Sequence, residues 1–161
     1  MITGAVVGAL VVTAVAGGAW WRRHTFLVTT VAGRSMLPTY TDGDRLIVRR
    51  VGLAMVRRGD VVLLADDDLP PRPTRSAAAR RDPPGELILK RAVAVPGDPV
   101  PAGVPVPDRI VPPGRLIVLG DNADASHDSR TAGYYAAEAL VGVVVRAMRT
   151  SSGNPGAWRL R

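Results

Sequence analysis

Lys90 is the only lysine in a chain that carries 20 arginines. It lies in the apolar stretch Leu87-Ile88-Leu89-Lys90-Arg91-Ala92-Val93-Ala94-Val95. Arginine stays protonated in proteins, whereas lysine can lose its proton. Among apolar side chains a lysine does so closer to neutral pH and then acts as a base. Ser35, in Gly33-Arg34-Ser35-Met36-Leu37-Pro38-Thr39, offers a matching nucleophile. A serine hydroxyl is weak at neutral pH and needs such a base to take its proton. His24 adjoins an apolar run and His127 lies in a polar loop, so Lys90 is the better base by environment. Ser35 and Lys90 together have the chemistry of a Ser-Lys dyad. The competing reading of Lys90 is an ammonium that snorkels to water.

Strand elements would have to hold these two residues. On a strand side chains alternate faces, so Lys90 shares a face with Ile88, Ala92 and Ala94 while Arg91 points the other way. Further strands are predicted at Phe26 to Val31, Arg45 to Val48, Val61 to Leu64, Arg115 to Leu119 and Leu140 to Met148. Turn signals separate them at Asp42-Gly43-Asp44, Arg58-Gly59-Asp60, Pro96-Gly97-Asp98 and Gly120-Asp121-Asn122. Residues 66–86 are rich in proline and arginine and read as a mobile loop, and Pro99 to Gly114 as an extended connector. The expected fold class is mostly β, with coiled antiparallel sheets in one compact domain.

Ile2 to Trp21 carry no charge. Twenty residues at about 1.5 Å each reach roughly 30 Å, the thickness of a bilayer's hydrocarbon core. Trp20 and Trp21 close the run, and Arg22, Arg23 and His24 follow, as suits an interface. The run is longer than a signal peptide's apolar core and lacks a basic start. It reads as a transmembrane helix, which gives three parts: an anchor at 1–23, a catalytic domain at 24–150 and a flexible tail at 151–161. Charge following the helix favours a cytoplasmic domain under the positive-inside rule.

Composition excludes several classes. The chain has no cysteine, so disulfides, thiolate metal sites and cysteine nucleophiles are ruled out. Two histidines do not make a histidine-rich metal site, and neither metal nor cofactor is expected. The net charge of +7 suggests anionic partners. Aromatics are only 4%, the arginines are scattered and no nucleic-acid motif is visible, so a lipid surface is expected rather than nucleic acid.

Four segments stand in order after the apolar run. They are Gly33 to Thr39; Arg58-Gly59-Asp60-Val61-Val62; Lys90 to Asp98; and Gly120-Asp121-Asn122-Ala123-Asp124-Ala125-Ser126-His127-Asp128-Ser129-Arg130. Each is weak alone. In this order, from about Val28 to Met148, they resemble the boxes of type I signal peptidases. The resemblance implies that Ser35 is the nucleophile and Lys90 the general base. It implies that Ser126 orients the lysine amine and that Asp128 and Arg130 form a supporting ion pair. The Ser35 backbone N–H would supply one oxyanion donor. Gly33 stands where some bacterial members have a serine that adds a second donor; Gram-positive members commonly have glycine there. Ala123 stands where arginine is frequent. Read without the resemblance, Ser126 and Ser129 are turn serines, Asp121-Asn122 an ordinary turn, and Asp128 with Arg130 a solvated pair.

The resemblance further implies a single-pass protein of the cell membrane with its catalytic domain on the extracytoplasmic side, against the charge rule. Its partners would be the lipid bilayer and secretory preproteins with small residues before the cleavage site, bound as an added strand. A maturation peptidase for one dedicated precursor would use the same residues. A self-cleaving regulator with a Ser-Lys core would carry a DNA-binding module, which is not seen. A non-catalytic membrane scaffold would not need the dyad.

Overall fold

The computed structural model of the chain describes residues 25–66 and 86–148. Seven strands form its framework: β1 Phe26–Thr30, β2 Arg45–Arg49, β3 Val61–Asp66, β4 Glu86–Ala94, β5 Arg115–Leu119, β6 Tyr135–Ala136 and β7 Leu140–Met148. They make one antiparallel sheet in the order β1-β2-β7-β3-β4-β5-β6. One sheet therefore stands where several had been expected. The apolar run at 1–23 and the tail at 151–161 lie outside the described residues; among those described, no helix is long and apolar enough to cross a membrane.

Val61, Val62, Leu63 and Leu64 are all buried, because β3 is flanked by β7 and β4 and covered on both faces. Alternation sends these residues to opposite sides. Val61 and Leu63 join Leu46, Val48, Leu89 and Met36 in one cluster. Val62 and Leu64 join Ala92, Leu116, Val118 and Val143 in the other. Leu63 and Leu64 are at most 1% exposed, so each contributes about 1.5–3 kcal/mol of burial.

Two irregularities shape the sheet near its middle. Register shifts fall between Ile47 and Val48 in the β2–β7 ladder and between Leu63 and Leu64 in the β3–β7 ladder. Gly142 of β7 lies where the chains crowd: a Cβ there would overlap the Arg49 carbonyl and sit 2.9 Å from Val48 Cγ1. A third shift, between Ala92 and Ala94 opposite β5, sends Ala94 to a separate cluster with Val111 and Ile117. The expected grouping of Lys90 with Ala94 thus stops at the bulge.

Two expectations about the connecting segments are corrected. Asp66 and Glu86 pair across the β3–β4 ladder, so the strands occupy both ends of the segment expected to be a loop; residues 67–85 lie outside the described residues. The Pro99–Gly114 segment is not extended. It folds back through a Pro99–Ile110 bridge and through Val100 N–H to the Arg109 carbonyl at 2.9 Å. Prolines can sit there because few of its backbone donors enter a ladder. Finally, β6 and the short helix α1, Ser129–Ala132, had no periodic signal, being two and four residues long.

Candidate active site

Ser35 lies in the turns that connect β1 to β2. Gly33 begins this segment at φ +97°, a conformation that glycine adopts without strain, and its N–H donates to Asp42 Oδ1 at 2.8 Å. Met36, 1% exposed, plugs the segment into the core beside Leu63 and Leu89. The Ser35 carbonyl accepts from Asn122 N–H at 2.9 Å, and the Arg34 carbonyl from Asn122 Nδ2 at 3.1 Å. The Ser35 N–H makes no hydrogen bond among the described residues. The Gly33 N–H is already committed to Asp42.

Lys90 sits in β4 opposite Val62 of β3 and is 4% exposed. Its Nζ donates to Ser126 Oγ at 2.9 Å, so the amine ends on a protein group rather than snorkelling to water. Burial pulls its pKa below the ordinary lysine value; the charges of Asp128 and Asp66 oppose this, and Arg130 adds to it. Ser35 and Lys90 line one cleft of about 280 Å³, with Leu63, Leu87 and Leu89 on its apolar side.

A polar chain runs on from the lysine. Ser126 Oγ donates to Asp128 Oδ2 at 2.7 Å. The same carboxylate oxygen accepts from Gly120 N–H at 2.8 Å and from an Arg130 terminal nitrogen at 2.6 Å, while Oδ1 accepts from Arg130 Nε at 3.0 Å. Asp128 is 0% exposed, so the pair is not the solvated one that local sequence allows. Burial alone would raise the Asp128 pKa, but these hydrogen bonds outweigh it and hold the carboxyl at about 2. Asp128 also caps α1, accepting from Arg130 N–H at 3.1 Å. Ser129, fully buried, accepts from Val118 N–H at 2.9 Å and ties the helix to β5.

The expected site residues thus fall into one place: Ser126, Asp128 and Arg130 are bonded in sequence to Lys90, and Ser35 shares the cleft. Sequence reasoning missed a second network behind them. Arg91, on the opposite side of β4 from Lys90, grips Asp121 with Nε at 2.8 Å and a terminal nitrogen at 2.6 Å. Its other terminal nitrogen donates to the Gly59 carbonyl at 2.8 Å. Thr39 Oγ1 donates to Asp121 Oδ2. One arginine therefore joins all four ordered segments. Asp121 and Asn122 had read as a turn, and only their adjacency to the Ser126 segment hinted at more.

Gly120 was also missed. A Cβ there would overlap Ser126 Oγ and lie 2.7 Å from the Ser35 carbonyl oxygen. Glycine lets the Ser35 and Ser126 segments close over the end of β5. Among the described residues no group of three or more side chains has metal-ligating character.

The arrangement places a buried amine, its pKa lowered by burial, in the same cleft as a serine. Comparison with known proteins bears on its use. The family described as signal peptidase, peptidase S26, matches residues 4–103 and 102–148. The chain is 28% identical over 138 residues to the signal peptidase I of Leptolyngbya laminosa, covering 71% of this chain and 64% of that protein. It is 27% identical over 131 residues to the "Probable signal peptidase I-1" of Synechocystis sp., covering 67% of this chain and 63% of that protein. The chain thus spans a little under two thirds of each relative's length.

Proposed function

This chain belongs to the signal peptidase family, peptidase S26, and from that membership we propose a membrane-anchored serine endopeptidase that removes N-terminal signal peptides with a Ser35–Lys90 dyad. The observation that carries this reading is the buried Lys90 amine, held at 2.9 Å by Ser126 Oγ in the cleft it shares with Ser35. The neutral amine takes the Ser35 Oγ proton as the oxygen attacks the scissile carbonyl. The unengaged Ser35 N–H stabilises the resulting oxyanion. The lysine ammonium then protonates the leaving amine, and the neutral amine activates water to release the acyl group. Ser126 and Asp128 act as positioning residues that keep the amine aimed.

In this reading residues 1–23 anchor the chain in the membrane and the domain that follows works on the extracytoplasmic side. The preprotein adds as a strand along the cleft, whose small volume suits small side chains before the cut. Arg22 and Arg23, with the tryptophans before them, set the domain against the bilayer.

The test is cleavage of a model preprotein by the detergent-solubilised protein, with mass spectrometry of the cut site. Ser35→Ala and Lys90→Met should each lower kcat by at least about 10³-fold. Retained processing by either variant would overturn the dyad. Equal cleavage of peptides carrying large residues before the cut would overturn the small-residue preference.

A further inference from the structure

The described wall of the cleft carries Arg34, Lys90 and His127 and no carboxylate side chain. Three nearby carboxylates are engaged elsewhere, and the buried Asp66 acts on Lys90. Asp121 is held by Arg91, Asp128 by Arg130, and Asp42 accepts the Gly33 N–H. Asp124, exposed on the turn before Ser126, exerts its charge on Arg130. His127 is exposed on the same wall, with Nδ1 3.1 Å from Thr131 Oγ1.

Arg34 differs from the other arginines around the site. Its carbonyl is fixed by Asn122 Nδ2 at 3.1 Å and by Leu37 N–H at 3.2 Å. Its guanidinium makes no ion pair or hydrogen bond among the described residues, and the side chain is exposed. The backbone is therefore pinned and the cation is free, one residue before Ser35. No charge of this wall neutralises it.

We propose that Arg34 is a specificity-determining residue that favours substrates with an acidic side chain beside the scissile bond and disfavours basic ones. The inference rests on the endopeptidase reading and adds a charge preference to it. A peptide backbone is neutral, so a substrate side chain is the element whose charge Arg34 reads. A carboxylate meets guanidinium through paired, directional hydrogen bonds, whereas an ammonium meets repulsion. Exposure keeps the effect modest: an ion pair of this kind is worth up to about fivefold in an equilibrium constant.

The test uses the full-length protein in detergent and peptides that differ at one residue. Asp, Asn or Lys is placed in turn at the second position before the cut and at the first two after it. For the wild-type protein, kcat/KM at one or more positions should fall in the order Asp, Asn, Lys, with about fivefold between the extremes. Arg34→Gln should flatten the order and Arg34→Glu should reverse it. Each ratio is taken within one protein, so partial loss of folded enzyme does not affect it. If Arg34→Glu is inactive, the wild-type ratio at about 1 M salt, where screening reaches about 3 Å, should likewise collapse. A flat order in the wild type, or an order that survives both Arg34→Gln and high salt, overturns the charge preference alone. Failure of the wild-type protein to cut any peptide would overturn the endopeptidase reading and this preference with it.

Discussion

Lys90 Nζ donates to Ser126 Oγ at 2.9 Å, and the same hydroxyl donates onward to Asp128 at 2.7 Å. The serine proton is thus directed at the carboxylate, which leaves an oxygen lone pair to receive the amine. Ser126→Ala removes both bonds without removing the base. Because displacement by about 1 Å can cost 10²-fold, kcat should drop by about 100-fold, less than for Lys90→Met. Equal losses in the two variants, measured by steady-state peptide cleavage, would show that Ser126 does more than aim the amine.

The lysine's burial sets the sign of the pH response. Only the neutral amine can accept the Ser35 proton, so kcat/KM should rise with pH along a limb whose midpoint lies below 10.5. Asp66 holds that midpoint up, so Asp66→Asn should move the limb to lower pH. Stability follows the same group. Between its folded pKa and 10.5 the unfolded chain binds more protons than the folded one, so stability rises with pH across that window and is lost as pH falls through the folded value. Lys90→Met should remove this slope in thermal melts; an unchanged slope would assign it to another group.

Asp128 works in the opposite pH range. Its pKa of about 2 lies below the ordinary 3.8, so its stabilisation is complete above about pH 4 and lost as pH falls through about 2. A shift of this size corresponds to about 2 kcal/mol. Arg130→Gln removes the largest of the hydrogen bonds that oppose burial, and acid unfolding should then begin at higher pH. Circular dichroism titration of the two proteins checks it, and coincident curves would refute the assignment.

The strands were legible because alternation and turn residues mark them: β1 through β5 and β7 lie within one or two residues of their expected positions. The Lys90–Arg91 reversal of faces was legible for the same reason. What escaped was set by distant neighbours. The prolines of 99–114 gave no sign that Val111 would be buried against Ala94 and Ile117. Gly120 and Gly142 are short of space only because Ser126, Ser35 and Arg49 arrive from elsewhere in the chain. The Asp121 contacts span 30 residues to Arg91 and 82 to Thr39, beyond any local pattern.

Those two glycines separate stability from activity. Gly142→Ala sets a methyl against the Arg49 carbonyl and Val48; Gly142 pairs with the cleft-lining Leu63 but does not itself line the cleft. The substitution should cost about 1–3 kcal/mol of stability as overpacking, with kcat of the folded fraction retained. Gly120→Ala sets its methyl against Ser126 and Ser35 and should lower kcat by about 100-fold through displacement of both. Denaturant melts beside cleavage assays read the two effects; equal loss of kcat in both variants would contradict the separation.

Arg91 gives the last prediction, because its neighbour is the base. Its guanidinium meets Asp121 through two nitrogens and Gly59 through a third, so it ties the Ser35 segment, by way of Thr39 and Asp121, to the strand that carries Lys90. Burial works against the charged Asp121, but the bonds from Arg91 and Thr39 hold its pKa below the usual carboxylate value. A lysine would keep the charge and lose the fork. Arg91→Lys should therefore lower kcat by about 10-fold or more while leaving the ascending pH limb of Lys90 in place, since displacement rather than titration is the cause. If charge alone mattered, Arg91→Lys would retain full activity and Arg91→Gln would not. The pH profiles of both variants, measured on one peptide, distinguish these outcomes.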